Sequence, residues 1–156
     1  MTVYRISSCR YIDDLSGKGA ALYGGRWNNK DTYVLYTAQS RALALLETVV
    51  HMGKVPVIGY CMATIEIPED SIQVYAADQL PNDWDSNPGP DYLRTIGDNF
   101  IRSNKYLALQ IPSVLMMEDH NYLINPAHPL FRKVSITSQR PISFDERLFP
   151  SSPHRA

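Results

Sequence analysis

Three places in this chain carry side chains with more chemistry than a plain core or surface would need. The first is GGRWN at residues 24–28, an arginine between two glycines and a tryptophan. Gly24 and Gly25 let the backbone turn sharply and approach a partner closely, so Arg26 is set in a stiff and crowded neighbourhood. A guanidinium held this way can grip a phosphate or carboxylate through two parallel hydrogen bonds. The same residues also fit a plainer arrangement, in which Arg26 caps a carbonyl while Trp27 fills the core.

The second place is Glu47, inside SRALALLETVVHMG at 40–53. Its helical neighbours Leu43, Leu46 and Val50 are apolar, so the carboxylate falls within a stripe expected to face the core. Burying it costs free energy unless it is paired. One explanation is structural: an ion pair with His51 four residues on, or with Arg5 or Arg26. The other is functional: a desolvated carboxylate on a pocket floor can stabilise positive charge developing in a reaction.

The third place is a set of hydroxyls and amides. Ser113 follows Pro112 at the end of a predicted strand, which pins its direction, although an ordinary turn serine looks the same. Tyr36, on the strand ahead of the Glu47 helix, fits a core tyrosine whose hydroxyl finds a partner. Asn121 and Asn125, in NYLINP, are expected to organise their own backbone.

The elements that must position these groups follow from period and punctuation. VYRI (3–6) and VLYTA (34–38) read as strands on either side of a Gly-rich segment at 13–33. Residues 40–53 form the clearest helix, with Ser40 as N-cap, His51 in the last turn, Gly53 at the C-terminal stop and Pro56 beyond. Its apolar residues run round most of the circumference, which predicts a largely buried helix. Residues 55–68 read as a long strand bulged at Gly59, and 71–75 as another. A loop at 81–90 precedes a helix over 91–103 with Asp91 as N-cap. Strands are expected at 106–113, 114–117, 131–137 and 142–149, with a turn-rich stretch at 121–129. Strands outnumber helices without alternating regularly with them, so the prediction is an α+β fold, a single compact domain with a central β core and a few helices. The domain is placed at 1–149, with 150–156 as a flexible tail.

Composition narrows the function. The 156 residues are enough to bury one core without disulfides or metals. Fifteen basic against 16 acidic residues give a formal charge of −1, which lacks the positive footprint of a chain that tracks nucleic acid. Cys9 and Cys61 could pair, but two thiols in a chain without a signal peptide are expected to stay reduced. The N-terminal MTVYRISSCR has no apolar signal region and no stretch reaches the length of a membrane span, so a cytoplasmic protein is expected. Four histidines (His51, His120, His128, His154) and the two cysteines fall at no metal-ligand spacing. Gly17 and Gly19 begin a G-x-G that Leu22 breaks, Gly17-Lys18 is followed by Gly19 rather than Ser or Thr, and no G-x-S-x-G is present. Dinucleotide-fingerprint, P-loop, zinc and serine-hydrolase chemistry all lose support.

In order and spacing, GAALYGGRWN, VLYTAQSRALALLE, IPSVLM, NYLINP and FDERLF resemble the RES domain family, named for its Arg, Glu and Ser, over about residues 3–149. The chain departs from the pattern at NNKD (28–31), near where many members carry a glycine. The resemblance implies an ADP-ribosyltransferase-like fold used by bacterial toxins of type II toxin–antitoxin modules with an Xre-like antitoxin. Such toxins deplete NAD+ as glycohydrolases or phosphorylases, and some members transfer ADP-ribose to a protein. Carried over by position, the family's residues fall on Arg26, Tyr36, Glu47 and Ser113 as catalytic groups. Gly25, Trp27, Asn28 and Arg5 join Arg26, Tyr36 and Ser113 as NAD+-binding candidates. The implied roles are a pyrophosphate clamp for Arg26 and stacking on the cationic nicotinamide for Tyr36. Glu47 would bind ribose hydroxyls and offset developing charge, and Ser113 would orient the substrate. NAD+ is then a substrate, with inorganic phosphate as co-substrate in the phosphorolytic case, and neither a resident cofactor nor a metal is expected. The expected partners are NAD+, the antitoxin and further copies of the chain.

Overall fold

Strand order sets which of the candidate side chains share a face of the sheet. A computed structural model describes residues 1–149, and the tail expected at 150–156 lies outside the described residues. Strands β1 (Thr2–Ser8), β2 (Leu35–Ala38), β3 (Tyr60–Glu66), β4 (Ile72–Val74), β5 (Ala108–Pro112), β6 (His120–Ile124) and β7 (Ser135–Ile142) form one sheet in the order β4-β5-β6-β2-β1-β3-β7. All neighbours are antiparallel except β4 and β5, which run parallel. Helices α1 (Lys18–Tyr23), α2 (Arg41–Met52) and α3 (Asp91–Ser103) complete the predicted α+β architecture.

The sheet has a seam. β1 runs alongside β3 from Thr2↔Glu66 to Ser8↔Tyr60 but meets β2 only at Tyr4↔Ala38. Helix α2 bridges that seam, burying Leu43 and Ala44 against Ala38 with Tyr4 and Ile6 beside them. On the same face, Leu109, Ile111 and Leu123 pack under Leu93 and Phe100 of α3 and under Trp27 and Trp84. Trp27 is 3% exposed. Removing an indole of this size from water contributes about 4 kcal/mol. The fit is close: a Cβ on Gly97, in the middle of α3, would lie 1.6 Å from the Trp27 carbonyl oxygen. The opposite face carries Val3, Leu35, Ala63, Ile65 and Ile124, covered by Ile12 and by Leu130 and Phe131 of a short 3-10 turn.

Local chemistry sets the helix ends. The Ser40 hydroxyl accepts from the Leu43 N–H and Gly53 closes α2 at φ +66°, as the sequence predicts. For α3, Pro90 takes the cap position and Asp91 is the first helical residue. Elsewhere the structure corrects the expectation. α2 is not largely buried: Leu46 and Val50 are exposed, because only one side of the helix rests on the sheet. The strand predicted from 55 begins at Tyr60, since β1 ends opposite it at Ser8 and the run 55–59 has no sheet partner. The irregularity expected at Gly59 lies between Thr64 and Ile65, against β7. Residues 121–124 are not a turn but part of the central strand β6, with Tyr122 and Leu123 on opposite faces. Residues 114–117 form a turn rather than a strand. The closing segment folds as a 3-10 turn at Glu146–Leu148 capped by Asp145.

The cysteines also differ from expectation: Cys9 and Cys61 form a disulfide. The β1–β3 register brings them together. Cys9 continues the pairing past the end of β1 through its N–H to the Gly59 carbonyl, which sets its Cα 4.8 Å from that of Cys61, within bridging range. Among the described residues, no helix is long and apolar enough to cross a membrane.

Candidate functional site

On the face of the sheet that carries α2, strand alternation lines up Tyr36 and Ala38 of β2 with Leu123 and Asn121 of β6. Ser113 continues that face from the end of β5, where Ile111 lies opposite Asn121. Glu47 points down onto this row from α2. Its Oε1 accepts from Ser113 Oγ at 2.9 Å and from Asn121 Nδ2 at 2.6 Å. The carboxylate is half-buried, and neither Arg5 nor Arg26 nor His51 forms an ion pair with it. The structural salt bridge considered from sequence is therefore replaced by two neutral donors. His51 turns back onto its own helix, its Nδ1 2.6 Å from the Glu47 carbonyl oxygen.

Ser113 is fully buried and more than a turn serine. Its hydroxyl oxygen accepts from Leu115 and Met116 N–H while its proton goes to Glu47. The 113–119 turn is fastened at its far side. Ser113 N–H donates to the Asp119 carbonyl, and Gln39 spans the turn's end, its amide nitrogen on the Asp119 carboxylate and its Oε1 accepting from His120 N–H. Asn121 was expected to serve its own backbone, but β6 carries its side chain to α2 instead. Asn125 behaves closer to expectation: it accepts from Ala127 N–H and also donates to Ile101 and Asn104.

Tyr36 shares the sheet face of Asn121, but its hydroxyl is tied to the loop that carries Arg26 rather than to Glu47 or Ser113. Its hydroxyl donates to Asn28 Oδ1 at 2.7 Å and accepts from Trp27 N–H at 3.2 Å. Burial raises the phenol well above the ordinary tyrosine value, so it remains protonated. Gly25 has to be glycine here, because a Cβ would stand 2.7 Å from the Tyr36 hydroxyl. Gly24, at φ +74°, supplies the turn ahead of it. Asn28 is completely buried, its amide donating to the carbonyls of Ala20, Asn29 and Thr32, so its side chain organises the loop rather than facing outward. Trp27 contributes its backbone to Tyr36 and its ring to the core. The NNKD departure is absorbed locally. Asn29 docks on Asp98 of α3 through both its N–H and its amide, and Asp31 takes the left-handed conformation at φ +69°.

Arg26 takes the plainer of the two arrangements drawn from its sequence, capping carbonyls while Trp27 fills the core. Its Nη1 donates to the carbonyls of Trp84 and Ser86 in the 81–90 loop, and Trp27 is in the core. Those two bonds fix the plane of the guanidinium. The Nε/Nη2 edge, which can fork onto two oxygens, has no partner among the described residues. Arg5 is placed elsewhere. Tyr4 and Ile6 pack toward α2, so Arg5 shares the opposite face with Val3 and donates to the carbonyls of Tyr11, Ile12 and Asp14. Burial lowers its pKa, opposed by the nearby Asp14 carboxylate.

Two grooves are present nearby. One of about 340 Å³ runs between Arg41 and Leu45 of α2 and Arg140 to Ser143 of β7 and its end. The other, about 350 Å³, is lined by Tyr23, Gly24, Gly25, Asn28, Lys30 and Arg94 among others. Neither is lined by Arg26, Tyr36, Glu47 or Ser113; Glu47 and Ser113 meet between α2 and the 113–119 turn.

Comparison with known proteins gives this arrangement a context. A family model for the RES domain matches residues 2–145. A Sphingobium protein named "Prs ADP-ribosylating toxin" is 40% identical over 141 residues, covering 87% of each chain. A Yersinia enterocolitica protein named "Toxin Res" is 37% identical over 152 residues, covering 95% of this chain and 99% of that one. Among solved structures, the Mycobacterium tuberculosis MbcT–MbcA toxin–antitoxin complex contains a chain that superposes with a TM-score of 0.71 at 17% identity, covering 91% of this chain and 84% of that one. At that identity the likeness is one of fold.

Proposed function

This chain belongs to the RES domain family, and we propose that it is the toxin of a toxin–antitoxin module that destroys NAD+ by cleaving the bond between nicotinamide and ribose. The observation that carries this reading is the Glu47 carboxylate, held by Ser113 and Asn121 on the sheet face that also presents Tyr36, with the Arg26 loop bonded to the Tyr36 hydroxyl. The near full-length likeness to proteins named as toxins supports the biological role. An antitoxin partner is part of the proposal, on the precedent of the MbcT–MbcA complex, as are self-association and a cytoplasmic setting where NAD+ is found.

The chemistry suits the residues. NAD+ brings a pyrophosphate, which the open Nε/Nη2 edge of Arg26 can fork onto, and a cationic nicotinamide, which an aromatic ring attracts. As the glycosidic bond breaks, its electron pair passes to the nicotinamide nitrogen and cancels that ring's charge. The leaving group departs neutral, so no general acid is needed. Positive charge moves to the ribose C1′–O4′ pair, as in other glycosyl transfers. A fixed carboxylate beside the sugar lowers the energy of that state more than of the ground state. Water or phosphate then bonds C1′ and releases a proton to solvent, giving ADP-ribose or its phosphorylated form.

A second reading keeps the same bond cleavage and changes the acceptor to a protein side chain. The printed name of the Sphingobium relative favours it. Incubation with NAD+, with and without phosphate, followed by product analysis tests both. Release of nicotinamide with ADP-ribose or its phosphate supports NAD+ destruction, and a labelled protein band supports transfer. If no nicotinamide is released under any condition, the proposal fails.

A further inference from the structure

We propose that Asn121 is a positioning residue which, together with Ser113, pins Glu47 through one carboxylate oxygen and so leaves the other, Oε2, to meet the substrate. This rests on the reading of Glu47 as the group that faces the ribose of NAD+.

Both donors act on the same atom. Asn121 Nδ2 and Ser113 Oγ reach Oε1 at 2.6 and 2.9 Å. Among the described residues Oε2 has no hydrogen-bond partner, and no buried side-chain oxygen is left unsatisfied, so Oε2 reaches solvent. A carboxylate serving only to tie α2 to the sheet would gain by engaging both oxygens. One oxygen bonded twice and its twin left open instead fixes the plane and the direction of a free acceptor, which is what a reacting sugar needs.

The fold supplies the rigidity. Asn121 lies opposite Ala38 on β2 and Ile111 on β5, and the small Ala38 side chain leaves room for the amide to rise toward α2. Ser113 and Asn121 sit at the two ends of one turn, whose closing bonds run through Asp119 and Gln39. The distance between the two donors is thereby set by the β5–β6 pairing and not by either side chain alone. The residue type matters too. An aspartate has the same shape but would set an acceptor and a negative charge against Oε1.

Steady-state kinetics on NAD+ test the role. Asn121→Leu removes the donor at similar volume and is expected to lower kcat about 10- to 100-fold with KM within about threefold of the parent. Asn121→Asp falls lower still. Thermal unfolding of each variant, with rates taken well below the midpoint, separates misfolding from misplacement. A second measurement needs no activity: the side-chain amide NMR signal of Asn121, in protein labelled at asparagine, is expected to move in Glu47→Gln while that of Asn125 stays in place. An unmoved Asn121 signal overturns the role. So does a kcat in Asn121→Leu within threefold of the parent, or a loss confined to KM. A parent protein that leaves NAD+ intact overturns the proposed function and this role with it, whereas an active parent with an indifferent Asn121→Leu overturns the role alone.

Discussion

Ser113 and Glu47, 66 residues apart in sequence, meet at 2.9 Å because the end of β5 and the middle of α2 close on the same sheet face. The hydroxyl that donates to the carboxylate also accepts two backbone N–H groups of the turn that follows. Its proton therefore has a fixed direction, and the carboxylate inherits that direction. The site is built by one buried residue's geometry being passed to a half-exposed one.

Glu47→Gln keeps this arrangement, since the amide oxygen can still accept from Ser113 and Asn121, but it removes the charge. We expect turnover of NAD+ to fall about 100- to 1,000-fold, with the unfolding midpoint within about 3 °C of the parent. Chromatographic assay of nicotinamide release, alongside thermal unfolding, checks both halves. A Gln variant as fast as the parent would remove Glu47 from the chemistry.

The Arg26 clamp has a test that leaves Arg26 in place. A Cβ on Gly89 would stand 2.6 Å from Nη1, and the group that yields is the flexible end of the arginine. Gly89→Ala should therefore turn the guanidinium away from the Trp84 and Ser86 carbonyls at little cost in stability. The KM for NAD+ is expected to rise about 10-fold or more, and Arg26→Lys should do the same because an ammonium cannot fork. If KM stays at the parental value in both, the guanidinium does not hold the substrate.

Tyr36 gives a pH-dependent signature. Burial raises its phenol above the ordinary value, so the folded state retains a proton that the unfolded state gives up. The contribution is constant below the unfolded tyrosine value of about 10 and is lost as pH rises beyond it, at up to about 1.4 kcal/mol per pH unit. Tyr36→Phe should flatten this alkaline fall relative to the parent. It should also lower stability at neutral pH by about 1–3 kcal/mol, because Trp27 N–H and Asn28 Oδ1 lose their partner. Chemical denaturation from pH 8 to 11 measures both effects, and parallel curves for the two proteins would contradict the assignment.

Features written in local chemistry were readable from sequence, and those written in register were not. Ser40 and Gly53 bound α2 through contacts within a few residues, so its limits were visible. Arg26 and Glu47 stood out by type and setting, whereas Tyr36 and Ser113 look ordinary alone and are singled out by the family resemblance; the structure groups Glu47 with Ser113 directly and ties Tyr36 to the Arg26 loop. Asn121 was hidden because its partner is 74 residues away and its role depends on β6 lying between β5 and β2. The Asn and Pro residues of NYLINP look like turn chemistry, although the turn starts only at Asn125 and the alternation of Asn121, Tyr122, Leu123 and Ile124 is that of a strand. Arg5 failed to join the site for a similar reason. One residue of strand phase separates the face of Tyr4 from its opposite, and no local signal says which of the two meets α2.

The Cys9–Cys61 bridge is the remaining long-range feature that sequence alone did not supply. It closes a loop with a sequence separation of 52 residues at the open end of the β1–β3 pair. Constraining an unfolded chain across such a loop is worth about 4 kcal/mol on the chain-entropy model, and for a domain of this size about 8 to 16 °C in midpoint. Dithiothreitol should lower the midpoint by that order, and Cys9→Ser/Cys61→Ser should reproduce the lower value without responding to reductant. The bridge lies away from Glu47, on the far side of the β1–β2 seam, so turnover of NAD+ at 25 °C should be the same with and without reductant. A midpoint indifferent to dithiothreitol would mean that the two sulfurs are not joined in solution. A rate that changes with reductant would mean that the β1–β3 end of the sheet communicates with the carboxylate across the seam.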